Sequence, residues 1–391
     1  VQIAVPATRV LYSTMKDRDL ALVELDATLG ELQERDITPF TVAPRAPDDA
    51  RNVSLIGAPT AELPSDAAYL RQEQCAASGR VTILEHDWLF SDTYRLDCQD
   101  VYGGSSGSPL FAEGSEEIFA IINTTTIGGR RPCTLNAPCE ITTAGPHFSQ
   151  DTSYATPVDG IAGCFGENGR FDLTGAACPL DDGRQLQISG VPRHAARPTN
   201  TLADGTQQHA TWNAALSGDL PFFRYKIGPL ATTNCRADVG YSDVLSLAEQ
   251  PIINEPLPDT EGFYVLCLLA GPTAVVDGTW QQPRFATSAR LEIDTTPPSA
   301  TPVLTITTTA DGVLIEPNYT PPEIAAIHYK SGPLAATDCA DAAGYADFAA
   351  RPLTLPTAQL PAILCTVAHD SAGNAGQPVR HLLDTPDFTT S

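Results

Sequence analysis

The second half of the sequence contains one pattern twice. The stretch YKIGPLATTNC (residues 225–235) returns as YKSGPLAATDC (residues 329–339), and GYSD at Gly240 returns as GYAD at Gly344, both with an offset of 104 residues. One offset shared by two separated motifs indicates a duplicated domain. The surrounding residues form short runs of Thr, Val, Ile and Tyr broken by Pro, Gly and Asp. This texture predicts an antiparallel β-sandwich of about 100 residues per copy.

The ten cysteines also restrict the fold. They contain no C-x-x-C motif and no grouping with histidine at zinc spacing, so disulfides are a better interpretation than metal ligands or free buried thiols. Disulfides indicate an oxidising compartment and an exported protein. The cysteines fall in five short-range pairs: Cys75 and Cys98, Cys133 and Cys139, Cys164 and Cys178, Cys235 and Cys267, Cys339 and Cys365. The repeat itself predicts the last two bridges, because each copy has its second cysteine in a hydrophobic strand.

The charge of the chain argues against two classes of partner. The formal net charge is -24 and the pI is near 4.4, so the surface repels nucleic acid and anionic membranes. A transmembrane helix needs about 20 apolar residues. The longest apolar run, FYVLCLLA at residues 263–270, has the length of a strand, so no transmembrane segment is expected.

A proline-rich connector separates the two copies. In EIDTTPPSATP (residues 292–302) the consecutive prolines favour an extended, stiff backbone. The string DTTPP, followed in the next copy by VAHDSAGN (residues 367–374), resembles the bacterial immunoglobulin-like modules of exported proteins. The resemblance implies immunoglobulin-like domains at residues 184–295 and 296–391, which we interpret as spacers, surface attachment or protein-binding modules.

The first 183 residues have a different character and contain a cluster of glycine and serine, GSSGSP, at residues 104–109. A serine hydroxyl is a weak nucleophile unless a base takes its proton, and the oxyanion that forms needs donors already aimed at it. A glycine two residues before the serine allows two backbone N–H groups to point into one hollow. The cluster therefore suggests a nucleophilic serine, although a flexible loop is the plainer interpretation of such a run.

The motif resembles the G-x-S-G-[GS]-P sequence of trypsin-like, chymotrypsin-fold serine peptidases, and the GGSSGSP form is similar to the bacterial glutamyl-endopeptidase branch. The resemblance implies that Ser106 is the nucleophile and that the amides of Gly104 and Ser106 form the oxyanion hole. DRDLALVEL (residues 17–25) resembles the family strand that carries the catalytic aspartate, here Asp19, 87 positions before Ser106. The implied fold is all-β: a chymotrypsin-like double β-barrel in residues 1–183, with its first barrel incomplete in this chain, followed by two immunoglobulin-like β-sandwiches.

The catalytic histidine of this family precedes the aspartate, and residues 1–18 contain none. All seven histidines follow Asp19; His86 is nearest to Ser106 and is better explained as a surface residue. Residues 1–18 are also too few for the early strands of the first barrel. We therefore expect an N-terminal fragment of the same precursor, preceding Val1, to carry the histidine. The rival hypothesis is an inactive peptidase-like adhesion or protein-binding protein.

Three residues bear on the substrate. Asp100, six residues before Ser106, takes the position that in trypsin pairs with Arg or Lys, and a carboxylate there selects cations. The strand AIINTTT (residues 120–126) would line the pocket with Asn123 and narrow it with Thr125, while Ile122 replaces the histidine that glutamyl endopeptidases use. These residues predict a weak preference for Arg or Lys before the cut bond.

The sequence thus predicts a secreted or cell-surface bacterial serine endopeptidase that acts on protein or peptide substrates. No cofactor or metal ion is expected in its mechanism. Ser105 stands where trypsin has the aspartate that captures a new N-terminus, so activation through that ion pair is not expected.

Overall fold

The fold is almost entirely β. A computed structural model describes residues 4–47, 52–61, 63–64, 66, 69–129, 132–175, 177–181, 183–191, 195–202, 204–318, 323–348 and 352–384. Within these residues the helices are α1 (Leu29–Gln33) and short 3₁₀ turns at Ile161–Cys164, Pro283–Phe285 and Thr357–Gln359. The predicted all-β fold class is confirmed. None of the described helices is both long and apolar enough to cross a membrane.

The chain divides into two compact units. The first consists of Val1–Val191, Ala214–Ile253 and Phe263–Arg290, and the second of Pro192–Asn213, Asn254–Gly262 and Leu291–Ser391. The domain limits predicted from the sequence, 1–183, 184–295 and 296–391, stay a prediction.

The described residues of the N-terminal part of the first unit form eleven strands. They are β1 (Ala7–Thr14), β2 (Leu20–Leu25), β3 (Thr41–Val42), β4 (Asn52–Gly57), β5 (Arg71–Glu85), β6 (Trp88–Leu96), β7 (Pro109–Ala112), β8 (Glu117–Thr125), β9 (Cys139–Thr142), β10 (Gly145–His147) and β11 (Ser153–Pro157).

Six of these strands close a barrel. β4 pairs with β5, β5 with β6, β6 with β11, β11 with β8, β8 with β7, and β7 again with β4, all antiparallel. Closure leaves no free edge among the six, which is the most complete way for a sheet to avoid unpaired backbone groups. The interior is apolar, with Val53, Leu110 and Ala120 fully buried and Tyr94 edge-on to Phe119 at 5.1 Å between ring centroids.

The strands β1 and β2 form a separate hairpin, in which Val10 pairs with Val23 and Thr14 with Leu20. One face packs through Leu20 onto Val158 and its neighbours. The other face leaves Val10, Val23 and Leu25 60%, 47% and 44% exposed. A two-stranded sheet is marginally stable by itself, so the hairpin depends on the packing of its Leu20 face.

The repeated region forms two sandwiches. The first copy contains β12 (Gln187–Ser189), β13 (Ala195–Ala196), β14 (Thr199–Thr201), β15 (Gln207–His209), β16 (Ala214–Ser217), β17 (Phe222–Pro229), β18 (Leu245–Ser246), β19 (Ile252–Ile253), β20 (Gly262–Gly271) and β21 (Thr287–Ile293). In the first unit the sheets run β12-β16-β19 and β21-β20-β17-β18. In the second unit β14 pairs with β15, and β13 pairs in parallel with the last two residues of β21.

The second copy lies in the second unit. Its strands are β22 (Val303–Thr309), β23 (Gly312–Asn318), β24 (Ala326–Pro333), β25 (Ala346–Asp347), β26 (Leu353–Pro356), β27 (Ala362–His369) and β28 (Val379–Leu383). They form the sheets β22-β23-β26 and β25-β24-β27-β28. Their facing sides enclose a core that includes Ile315, Ile327, Leu364 and Phe348.

All five disulfides predicted from the sequence are present and confirmed. The repeat extends to strand register: Lys226 of β17 pairs with Cys267 of β20, and Lys330 of β24 pairs with Cys365 of β27. The two copies therefore place the same residue types at the same points of their central strand pairs.

The barrel and the first sandwich share an apolar cluster within the first unit. Leu84 of β5 packs with Leu230, Val265 and Leu269 of the sandwich. Polar contacts join the same two parts: Arg290 Nε donates to the His86 carbonyl at 2.5 Å.

Arg236 adds a second polar link. Its Nη1 pairs with Asp92 of β6, and its Nε lies 3.9 Å from Asp17. The first sandwich is thus packed against the barrel next to the segment that leads into β2.

Candidate active site

The loop before β7 places Ser106 at an exposed tip. Gly104 (φ +99°) and Gly107 (φ +79°) flank it in left-handed conformations that residues with side chains rarely adopt. The loop is fixed on both sides: Ser105 N–H donates to the Tyr102 carbonyl at 2.9 Å, and Gly107 N–H donates to the Ile122 carbonyl at 2.8 Å. Ser106 is exposed, so a constrained backbone presents its hydroxyl to solvent.

Glycine is required at the two positions before the serines because another segment approaches the backbone there. Thr60 N–H and Ala61 N–H both donate to the Gly103 carbonyl, at 2.9 and 2.8 Å. A Cβ on Gly103 would lie 2.7 Å from the Ala61 Cβ, and one on Gly104 would lie 2.5 Å from Thr60 Oγ1. The cluster is therefore an ordered turn under close contact.

Two backbone donors in this turn are free. Among the described residues, neither the Gly104 N–H nor the Ser106 N–H has an acceptor. Neighbouring serines differ: Ser105 is buried, and its hydroxyl accepts from Tyr102 N–H at 3.3 Å. Free N–H groups beside an exposed hydroxyl are the components that acyl transfer needs at the developing oxyanion.

Asp19 lies immediately before β2 and is half-buried. Burial raises the pKa of its carboxyl group. In the described part of the chain this carboxylate makes no hydrogen bond or ion pair. A half-buried carboxylate without a donor is costly and indicates a position for a polar partner. No hydrogen bond among the described residues joins Asp19 to Ser106.

Sequence reasoning missed Glu85, at the end of β5. Its side chain is 4% exposed and accepts hydrogen bonds from Thr124 Oγ1 and Asn136 N–H, both at 2.7 Å. Burial is the main cause that raises its pKa, and the negative charge of Asp19 adds to the effect. The signal was present in RVTILEHDWLF (residues 80–90), where a glutamate interrupts an apolar run.

The strand β8 is tied to the loop that carries Ser106, since Ile122 N–H donates to the Ser108 carbonyl at 2.9 Å. Asn123, the next residue, is 9% exposed, and its Nδ2 has no partner among the described residues. Thr125 Oγ1 lies 3.1 Å from Ser153 Oγ and 3.3 Å from the Thr152 carbonyl. These contacts bring the two predicted pocket residues to the strand that adjoins Ser106.

Asp100 is engaged by a cation of the barrel. Its Oδ1 lies 3.3 Å from Arg71 Nη1, and 45% of its side chain remains exposed. Its backbone N–H donates to Glu73 Oε2 at 3.0 Å. The carboxylate therefore already holds a guanidinium group in this structure.

His86 lies in the turn between β5 and β6. Its Nδ1 is 3.1 Å from Asp87 Oδ2, and its ring lies 5.8 Å from the Trp88 ring. These contacts place its imidazole with its sequence neighbours, and 35% of its side chain is exposed.

The comparison with known families agrees with this geometry. Residues 3–121 match the trypsin-like peptidase domain. The matched segment contains Asp19, Asp100, Gly104 and Ser106, and it supports a peptidase-like protein. No curated protein matches the sequence.

Similarity to solved structures is weak. The fibronectin(III)-like modules of Clostridium thermocellum CbhA are 10% identical, with a TM-score of 0.26 over 51% of this chain and 94% of that chain. The FN1–FN3 domains of chicken CNTN1 are 9% identical, with a TM-score of 0.27 over 86% of this chain and 90% of that chain. Bacteroides uniformis β-glucuronidase 3 is 12% identical, with a TM-score of 0.21 over 52% of this chain and 25% of that chain. Likenesses at this level support no argument.

Proposed function

We propose that this protein is a secreted serine endopeptidase in which Ser106 is the nucleophile. The observation that carries the proposal is the turn itself, where an exposed hydroxyl lies between two left-handed glycines. Two backbone N–H groups beside it have no acceptor in the part of the chain that the structure describes. The match of residues 3–121 to the trypsin-like peptidase domain supports the same chemistry.

In the proposed mechanism Ser106 Oγ attacks the carbonyl carbon of the substrate while a histidine takes its proton. The tetrahedral oxyanion receives hydrogen bonds from the N–H groups of Gly104 and Ser106. The histidine then gives its proton to the amine, the C–N bond breaks, and an acyl ester on Ser106 remains. Water, activated by the same histidine, hydrolyses this ester and restores the serine.

Asp19 orients the histidine in this proposal. Its carboxyl group is half-buried, its pKa is raised by burial, and its partners among the described residues include no cation. An imidazolium beside it would stabilise the charged carboxylate and give the ring its correct orientation. We propose that the histidine comes from a segment that precedes Val1 in the precursor, and the exposed face of the β1–β2 hairpin is where its strands would dock.

The proposed preference is for Arg or Lys before the cut bond, with Asp100 as its recognition group. The support is the pair with Arg71 at 3.3 Å, because a carboxylate that holds one guanidinium can hold another in exchange. The partly exposed side chain of Asp100 leaves access for a substrate. Asn123 and Thr125 would form the wall of the pocket.

The five disulfides support an extracellular location, because disulfides persist in oxidising compartments. The proposed organisation is a peptidase domain at 1–183 with immunoglobulin-like domains at 184–295 and 296–391. In this arrangement the first of these domains supports the peptidase, as its contacts through Arg236 and Arg290 suggest.

The test is covalent labelling of the protein expressed from its natural start. The purified protein is treated with a fluorophosphonate probe, and the labelled peptide is sequenced. We expect labelling of Ser106, loss of labelling in Ser106→Ala, and retention in Ser115→Ala, a control in the loop after β7. A protein that carries an upstream histidine and folds, yet takes no label at Ser106, would support the binding-protein alternative instead.

A further inference from the structure

The side chain of Arg284 lines a cavity of the first unit, and no described carboxylate forms an ion pair with it. Across the residues that the structure describes, Arg284 makes no hydrogen bond or ion pair, and its Nε is buried. Its guanidinium lies 4.5 Å from the centroid of the Phe285 ring. A buried guanidinium N–H without an acceptor costs free energy, so this position favours a ligand that supplies the acceptor.

The cavity has a volume of about 170 Å³, and the charged residues that line it are Arg18, Arg80, Arg284, Asp92 and Asp159. A water molecule occupies ~30 Å³ of liquid, so the cavity has room for a carboxylate and the carbon that bears it. Three arginines against two aspartates leave one positive charge. One monoanion neutralises this lining, whereas a dianion such as phosphate would leave it negative.

A second arginine in this cavity also lacks a partner. Arg18, next in sequence to Asp19, makes no hydrogen bond or ion pair among the described residues. Two nearby carboxylates are already paired, Asp92 with Arg236 and Asp181 with Lys16 at 2.6 Å. Asp159 lines the same cavity, and Asp17 interacts with Arg18 and Arg284 through its charge. Among the described residues, neither guanidinium group has a carboxylate within ion-pair distance.

The electrostatics agree with this arrangement. Burial lowers the pKa of Arg284, and the positive charges of Arg18 and Arg236 lower it further. The negative charges of Asp17 and Asp181 act in the opposite direction and offset part of this lowering. The net charge of the chain is -24, so a cluster of arginines with no ion pair in the described part of the chain contrasts with the rest of the protein.

We propose that this cavity binds a carboxylate group, held by Arg284 and Arg18. The planar guanidinium group of an arginine can donate two parallel N–H···O hydrogen bonds to one carboxylate. A single bound carboxylate could therefore accept hydrogen bonds from both Arg284 and Arg18. The carboxylate would come from an acidic side chain of a bound peptide or from a free small carboxylic acid. This inference goes beyond the peptidase proposal and does not depend on Ser106.

The experiment is a titration of the full chain with acetate at constant ionic strength, chloride being replaced stepwise, with the melting temperature and heat of binding as readouts. We expect a saturable rise in Tm. Arg284→Met should weaken acetate binding about tenfold, as the loss of a charge-assisted bidentate pair predicts. Arg224→Met is the matched control, since Arg224 belongs to the same unit but bonds to Ser242 and Asp238.

Additional variants control for misfolding of Arg284→Met, and additional ligands identify the source of the carboxylate. Arg284→Lys and Arg18→Met should also weaken binding, which covers the case in which Arg284→Met fails to fold. A blocked tripeptide with a central Glu that binds more tightly than acetate assigns the site to a peptide side chain; equal affinity assigns it to a small free acid. The matching Gln peptide binding equally well, phosphate binding better than acetate, or acetate affinity unchanged in folded Arg284 variants would each overturn the proposal. These readouts need no peptidase activity, so their failure leaves the peptidase proposal untouched.

Discussion

The ammonium group of Lys226 lies 4.3 Å from the centroid of the Tyr241 ring. It also donates to the carbonyls of Ala237 and Val239 at 2.6 and 3.1 Å, while the Tyr241 hydroxyl donates to the Cys235 carbonyl at 2.8 Å. The cation thus organises the loop that follows the disulfide cysteine. Burial is the main cause that lowers the pKa of Lys226, and its carbonyl partners and the ring face offset part of that cost.

The second copy repeats this arrangement. Lys330 lies 4.6 Å from the Tyr345 ring centroid and donates to the Ala343 carbonyl at 3.1 Å, and Tyr345 donates to the Cys339 carbonyl at 2.8 Å. We predict that Lys226→Met destabilises the protein by about 2 kcal/mol, because two carbonyls lose their donor. Lys330→Met should cost less, because Lys330 is more exposed than Lys226. Urea unfolding of both variants measures the difference, and an equal or reversed order contradicts it.

A second prediction concerns Arg236. Its Nε is 3.9 Å from Asp17, whose carboxylate is 9% exposed. Arg236→Ala should destabilise the first unit by about 2 to 4 kcal/mol, because a nearly buried charge loses its partner. Asp17→Asn should remove most of that loss in the double variant, which a double-mutant cycle measures.

The position equivalent to Arg236 in the second copy is Ala340. The repeated sandwich sequence therefore does not itself require an arginine at this position. Arg224→Ala is the control within the same sandwich, since its partner Asp238 is 71% exposed. Arg224→Ala removes this exposed ion pair and a hydrogen bond to the Ser242 carbonyl but leaves no buried charge, so it should cost less than Arg236→Ala. If both arginine variants lose the same stability, the contact with Asp17 is not what matters.

Glu85 should make stability depend on pH. Its folded-state pKa is raised, mainly by burial, so its stabilising contribution is complete below the unfolded pKa near 4.5 and is lost as pH rises through the folded pKa. Glu85→Gln keeps an oxygen to accept from Thr124 and Asn136 and has no charge. We therefore expect its Tm, relative to wild type, to increase as pH rises from about 4 to 7.

Glu31 is a control of opposite sign. Its pKa is lowered, first by the backbone N–H of Thr28 and then by the Thr28 hydroxyl, so its contribution is present above pH 4.5 and is lost as pH falls. Glu31→Gln should reduce Tm at pH 7 more than at pH 3. A Glu85→Gln difference that does not vary with pH would show that Glu85 is already neutral, or not buried, in solution.

The last prediction tests the turn around Ser106. Gly104→Ala adds a Cβ at 2.5 Å from Thr60 Oγ1 and also forces a residue with a side chain into φ +99°. We expect a loss of about 2 to 3 kcal/mol and a loss of fluorophosphonate labelling at Ser106. Gly114→Ala adds only backbone strain of about 1 kcal/mol, since its φ is +75° and nothing lies within 4 Å of the new Cβ. Labelling that persists unchanged in Gly104→Ala argues against the proposed oxyanion hole.

Most of the fold could be predicted from local sequence patterns. The duplicated YK-x-GPLA motif and the spacing of the cysteines predicted two sandwiches and five bridges, because both depend on residues close in sequence or repeated at one offset. The glycines around Ser106 likewise marked a turn whose need for glycine the contact with Thr60 explains.

What could not be read from the sequence depends on distant contacts. Glu85 meets Thr124 and Asn136 across 39 and 51 residues, and barrel closure brings them together. Arg236 and Arg284 lie in the first sandwich, and their place beside Asp17 and Arg18 follows from packing within the first unit. The disposition of Asp100 toward Arg71 also needed the structure. The assignments of Ser106, Asp19 and the pocket residues remain predictions.

The exposed apolar face of the β1–β2 hairpin affects how the protein behaves in solution. Val10, Val23 and Leu25 form an exposed apolar surface beside strand edges that pair with no other described strand, and such edges and surfaces favour association with other chains. Preparations of this protein should therefore self-associate as concentration rises, and a detergent or a peptide that covers these side chains should disperse them.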